Sequence, residues 1–320
     1  MGANVKIWMI VGACLIGLGC ILIGVVMTKL NWDFTNLSTE KYETVEHIIG
    51  EDFHNISIRA DTADIIVSLS EQEETLVVCH EQKSAAHTVS VQNGTLNIEE
   101  HDTRKWYEYI GFSFGTPSVT VYLPKTEYGE LFIKENTGDI EIPADFQFES
   151  IDIFASTGDV TNCASAAGDI KIRTSTGKIH VENVSAENLS LSVSTGNITA
   201  SGVACAGDVS LHVSTGKTNL TDITCKNLTS DGNTGDLTLN NVIGSELFSI
   251  ERTTGDVTFE SCDAAEFSVK TDTGDVTGSL LSDKIFFAET DTGSIHVPKL
   301  TAGGKCEITT NTGDITFSVG

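Results

Sequence analysis

Six aspartates follow a Thr-Gly dipeptide at near-constant intervals: Asp139, Asp159, Asp236, Asp256, Asp275 and Asp314. Repeated carboxylates are the donors that hard cations select, and some repeat proteins bind Ca2+ between successive turns. The spacing argues against Ca2+ here. Such sites need several glycines and an Asp within about nine residues. This chain offers one carboxylate per 19 or 20 residues and puts Lys178, Asn197, Lys217 or Ser294 in the same place in other copies. Structural turn chemistry is the expected role, because Asp and Asn side chains bond local amides.

Cysteine and histidine give no clearer constellation. Cys14 and Cys20 lie in an apolar stretch, and Cys79, Cys163, Cys205, Cys225, Cys262 and Cys306 are dispersed without a C-x-x-C pair. Zinc therefore has little support. Cys205 and Cys225 each fall nine residues after a turn glycine. Stacking would bring their Cα atoms to ~4.8 Å, within disulfide range, although parallel Cβ vectors are poorly aimed for the bond. A disulfide and two buried thiols both remain open. The eight histidines show no repeating relation to a serine or cysteine nucleophile, so neither a catalytic group nor a cofactor is expected.

The elements that must position these residues follow from the repeat. Ten Thr-Gly glycines, Gly138, Gly158, Gly177, Gly196, Gly216, Gly235, Gly255, Gly274, Gly293 and Gly313, are separated by 19 or 20 residues. Apolar residues stand seven and five before the glycine, as in Ile151 and Ile153, and two and four after it, as in Ile179 and Val181. That period of two marks strands with one buried face. A further apolar residue seven after the glycine, such as Val184 or Val242, marks a third, shorter side. One such coil cannot bury its aliphatics alone, whereas coils stacked ~4.8 Å apart join them into one core. The fold class is all-β, a β-solenoid of 19–20-residue coils.

Residues 46–130 depart from this pattern and 131–320 follow it. Ile56 and Ile58, then Ile65 and Val67, read as an imperfect first coil, and Asn93-Gly94 between strand-like runs as an inserted hairpin. Trp106, Tyr107, Tyr109, Phe112 and Phe114 concentrate scarce aromatics in one segment. They suit either a cap on the open end of the core or a binding surface for a protein or glycan. The end of the last coil, near Gly320, is expected to leave a strand edge that needs shielding or a partner.

From Val5 to Met27 only Lys6 carries charge, long enough for one transmembrane helix. Trp8 and Trp32 near its ends suit the interface. Residues 1–30 are read as a short cytoplasmic tail and uncleaved signal anchor, 31–45 as a juxtamembrane linker and 46–320 as the ectodomain. The N-terminus is expected inside and the C-terminal domain outside. A formal charge of −26 makes nucleic acid an improbable partner.

The Ile56-x-Ile58 pair, the run Val119-Thr-Val121-Tyr-Leu-Pro124 and the Thr-Gly-Asp-Val/Ile series from 137 onward resemble a bacterial family of membrane-anchored, adhesin-type β-strand-repeat domains of unknown function. The resemblance covers about residues 45–320. It implies a solenoid facing the cell exterior or envelope, with relatives beside envelope-stress components, and implies no ligand or reaction. A membrane-tethered scaffold or binding module in envelope homeostasis or stress signalling is the expectation, with envelope proteins or glycans as partners. A cell-surface adhesin and a polysaccharide-acting enzyme are the alternatives.

Overall fold

The computed structural model describes residues 3–32, 42–105 and 115–320. Helix α1 spans Ala3–Lys29, and its Lys6–Lys29 portion is long and apolar enough to cross a membrane. At ~1.5 Å per residue such a helix matches a bilayer core of ~30 Å. All other elements among the described residues are strands of one continuous parallel stack with an antiparallel cap.

The first strands are β1 (Tyr42–Ile49), β2 (Asn55–Thr62), β3 (Asp64–Leu69), β4 (Thr75–Gln82), β5 (Ala85–Gln92), β6 (Thr95–Asp102), β7 (Ser118–Leu123), β8 (Glu127–Thr137) and β9 (Ile140–Ile142). β1 begins at Tyr42, inside the segment read as a linker from the sequence. From β8 onward each coil lays one strand before its Thr-Gly turn and one after it. Identical positions pair: Ile151 with Ile170 and Ile153 with Ile172 on one face, Ile179 with Ile198 and Val181 with Ala200 on the other. These side chains are buried and belong to one continuous core. Removing each Ile, Leu or Val from water stabilises the stack by about 1.5–3 kcal/mol.

Three corners close each coil. At the first, the Thr-Gly turn, Gly196 has φ 148° and Gly255 φ 142°, a region essentially confined to glycine. A Cβ at Gly196 would also lie far inside the carbonyl oxygen of Gly177 in the coil beneath. Both reasons exclude any other residue. A second corner, six residues later, places Asn183, Asp222, Asn241 and Ser261 at φ 52–54°. Asn and Asp tolerate this left-handed conformation better than most side chains. At the third corner, Asn and Asp link coils: Asn188 Nδ2 donates to Asp169 Oδ1 at 2.9 Å and the Asp208 amide to Asn188 Oδ1 at 2.9 Å.

The coils do not stack in sequence order at either end. Ser268 of the Gly274 coil pairs with Glu307 of the Gly313 coil, and Glu307 in turn with Phe287 of the Gly293 coil. The last coil in the chain is thus slid between the two before it. Gly303 and Gly304 make the insertion fit, since a Cβ on either would strike the carbonyl oxygens of Asp283 and Ala265 respectively. Lys284 reaches past the inserted coil at Gly304, and its buried Nζ lies 2.7 Å from Asp263 Oδ1. The N-terminal end repeats the arrangement. The β2/β3 coil lies between the β6/β7 pair and β8/β9.

The free end is therefore not where the sequence put it. The coil bearing Gly293 is terminal, with Phe287 and Ile295 exposed, although the sequence pattern assigns Ile295 to the core. The opposite end is closed by antiparallel strands: β4 covers β7, β1 covers β4, and β5 covers β6 through a hairpin turning at Asn93 (φ 53°) and Gly94 (φ 74°). Antiparallel covering removes the parallel edge as a template for further stacking.

The swapped order is open to test by cross-linking. Stacked positions lie one coil spacing (~4.8 Å) apart, so a bifunctional thiol reagent short enough to span only that spacing should link S268C/E307C within the chain and should not link S268C/F287C, two spacings apart, read as a gel shift. The reverse result would mean that the coils stack in sequence order.

Candidate functional site

The turn aspartates form a ladder. Asp139 Oδ1 accepts the Asp159 amide at 2.8 Å, Asp159 Oδ1 that of Lys178 at 2.7 Å, and Asp275 Oδ1 that of Asp314 at 2.8 Å. Each carboxylate serves the neighbouring coil, rather than the local amides suggested by the sequence. Asn197 does the same for Lys217 at 2.9 Å, and Asp256 for Asp275 at 2.9 Å. Lys217 Nζ also lies 3.0 Å from Asp236 Oδ2, so the two lysines interleaved among the aspartates ease repulsion along the ladder. With one oxygen engaged by an amide at every step except the two at Lys178 and Lys217, which have no acceptor to offer, the ladder is a fastening along one edge.

The cysteines beyond the helix are thiols. Cys205 and Cys225 are both buried on adjacent coils, and burial pushes them up to about 11 and about 12, with Cys205 adding to Cys225. Cys262 and Cys306 occupy the core as their spacing suggests. Trp106, Tyr107, Tyr109, Phe112 and Phe114 lie outside the described residues.

One inward column escaped the sequence reading, three residues before each turn glycine. It holds Glu135, Ala155, Thr174, Val193, Val213, Gly232, Arg252, Thr271, Thr290 and Thr310. Arg252 is buried, its guanidinium filling the space of a side chain at Gly232. It donates to Ser230 Oγ at 2.8 Å and Thr218 Oγ1 at 3.5 Å. Desolvation lowers its pKa, opposed by Asp231. Ser230, Gly232 and Thr218 all replace the larger apolar residues of other coils around this one cation, which pins the register of the Gly235 and Gly255 coils.

Glu135 is fully buried in the same column and holds the irregular first turn, its Oε1 accepting the amides of Ala63 at 3.2 Å and Thr137 at 2.9 Å. From the other side Glu100 Oε2 accepts the amides of Asp61 at 2.6 Å and Thr62 at 3.1 Å. Two inward carboxylates thus replace the missing Thr-Gly turn at residues 60–64. Burial raises Glu135 to about 7, helped by Glu100 and Asp61 and opposed by its two amide bonds.

Two clusters were not legible as such in the sequence. In the cap, Cys79 and Glu81 alternate on the inward face of β4 and meet His87 of β5, with donor atoms all within 4.8 Å of one another and all three residues buried. His87 Nδ1 lies 2.7 Å from Glu81 Oε2, and its Nε2 4.0 Å from Glu100 Oε2. Burial, with Glu81 beside it, pushes the Cys79 thiol up to about 12. On the outer wall His212 Nδ1 hydrogen-bonds Asp231 Oδ2 of the next coil while its Nε2 lies 3.2 Å from Ser214 Oγ. That is the order of a Ser-His-Asp relay. Its His and Asp are about half exposed on an open strand face.

A stack of parallel coils with structural turns and an antiparallel cap defines a β-solenoid repeat protein. The family model described as Toastrack DUF4097 matches residues 53–212 and 195–320, and the chain belongs to that family. No curated protein matches it. Among solved structures, a candidate adhesin of Bacteroides fragilis is similar at 12% identity, covering 86% of this chain and 97% of that one, with a TM-score of 0.44. A candidate adhesin of Parabacteroides distasonis is similar at 12% identity, 83% and 97% coverage and a TM-score of 0.45. A candidate lipid-binding protein of the same species follows at 16% identity, 75% and 98% coverage and 0.47. Likenesses this weak carry nothing about ligand.

Glu135 gives a pH signature. With its folded pKa raised from 4.5 to about 7, the native state holds a proton that the unfolded chain has released. Its contribution is full below the unfolded value and is lost as pH rises through about 7, at most ~3 kcal/mol. Melting curves of wild type and E135Q should diverge in the variant's favour between pH 4.5 and 8. A pH-independent difference would contradict the assignment.

Proposed function

We propose that the chain is a membrane-tethered extracytoplasmic scaffold that binds envelope components, proteins or glycans, along a rigid acidic rod. The observation that supports it is the joining of a membrane-length apolar helix to a stack roughly 55 Å long at ~4.8 Å per coil. In this reading the N-terminus is cytoplasmic, the cap lies toward the membrane and the Gly293 coil is distal. Adhesion to an outside surface is the nearest alternative use of the same architecture. A hydrolytic reading is favoured only by the Ser214, His212 and Asp231 alignment. It is the weaker, because acyl transfer relies on oxyanion donors in a water-excluded site and this wall is open. The S214A variant should leave ester hydrolysis by the full chain at background.

Orientation and function are tested together. Thr221 is exposed on the rod, so T221C in intact cells should react with a membrane-impermeant maleimide. Cross-linking of those cells should then recover envelope neighbours with the full-length protein. Labelling only after lysis would overturn the topology. Labelling with no envelope neighbour recovered, together with binding of the displayed rod to a foreign surface, would favour adhesion.

A further inference from the structure

We propose that the cap interior binds one divalent transition-metal ion of the zinc class through Cys79 Sγ, a carboxylate oxygen of Glu81 and a ring nitrogen of His87. Sulfur, oxygen and nitrogen donors from three side chains are the set that a borderline-soft ion accepts. Here they converge within 4.8 Å of one another in a buried space, and small side-chain shifts would bring all three to bonding distance.

A second observation points to a ligand. His87 Nε2 is buried without a hydrogen-bond partner, on a side chain only 1% exposed. A buried ring nitrogen left unpaired costs about 1–3 kcal/mol, and coordination at Nε2 would satisfy it. Charge points the same way. Glu81 and Glu100 are buried on either side of His87, with Arg104 Nη2 3.9 Å from Glu100 Oε1.

The hairpin explains why the donors meet. Gln82 and Ala85 pair across a turn at Lys83-Ser84. Beyond that pair β4 follows one face of the solenoid, against β7, and β5 the other, against β6. The inward side chains of the diverging strands therefore face each other across the end of the core, and among the described residues no aliphatic coil lies over them. Glu100, directly opposite His87 in the ladder, stands outside the three donors as an orienting carboxylate. A surface cleft lined by Arg59, Asp61, Glu100 and Asp102 opens beside the site.

The alternative is an ion pair between His87 and its two carboxylates that needs no metal. Full-length protein in detergent, stripped with a chelator, should take up one equivalent of Zn2+ against a chromophoric competitor and melt at a higher temperature with it. C79S and H87A should each weaken that uptake at least tenfold while surface binding is unchanged. Co2+ should give a thiolate charge-transfer band in the wild type, a readout that needs no variant to fold. Absence of both tight Zn2+ uptake and the Co2+ band, or uptake that survives C79S and H87A in folded protein, would overturn the site and leave the ion pair.

Discussion

The carbonyl oxygen of each turn glycine lies against the Cα of the turn glycine stacked on it, and this contact governs the rest of the molecule. It fixes the distance between coils at one corner, where φ values of 129–154° from Gly158 onward already restrict the position to glycine, while Gly138, set against the carbonyl of Ala63, is held by the close approach alone. With that corner set, the strands on both sides have no freedom of register, and a slip of one residue would turn every inward aliphatic to solvent. The aspartate ladder reinforces the same edge from outside. Its carboxylates accept amides that the turn leaves without a strand partner.

Uniform coils solve burial and create a problem of identity. Any coil presents nearly the same edge as any other, so aliphatic columns alone do not say which neighbours belong together. Buried polar groups supply that information. Arg252 fits only where Ser230, Gly232 and Thr218 make room and accept its protons, and Lys284 meets Asp263 only with the last coil inserted between them. A buried charge adds little net stability, yet leaving it unpaired costs several kcal/mol. Misordered stacks are penalised accordingly.

Much of this was legible in the residues. The columns two and four after the glycine and five and seven before it follow from a period of two, and the Asn93-Gly94 hairpin from turn chemistry. The column at Glu135 and Arg252 was hidden because its residue types vary from coil to coil, which breaks the apolar pattern while keeping the position. The exchange of the last two coils was hidden for the opposite reason, near-identity. Its one trace was the paired glycines at 303–304; Lys284 gave none, because other coils put Glu149, Glu187, Lys226 and Glu246 at the same position, where they are exposed and Lys284 is buried. Cys79, Glu81 and His87 looked unrelated because their meeting depends on how the hairpin opens after Lys83-Ser84, which no spacing rule encodes.

The claim beneath all of this is that the turn contact admits glycine alone. Thermal or urea unfolding of the soluble rod carrying Gly196→Ala measures it, with Ser194→Ala on the exposed face as the comparison. The account predicts a loss of more than ~2 kcal/mol for the first and a change within ~0.5 kcal/mol for the second. Equal stability of the two variants would contradict it.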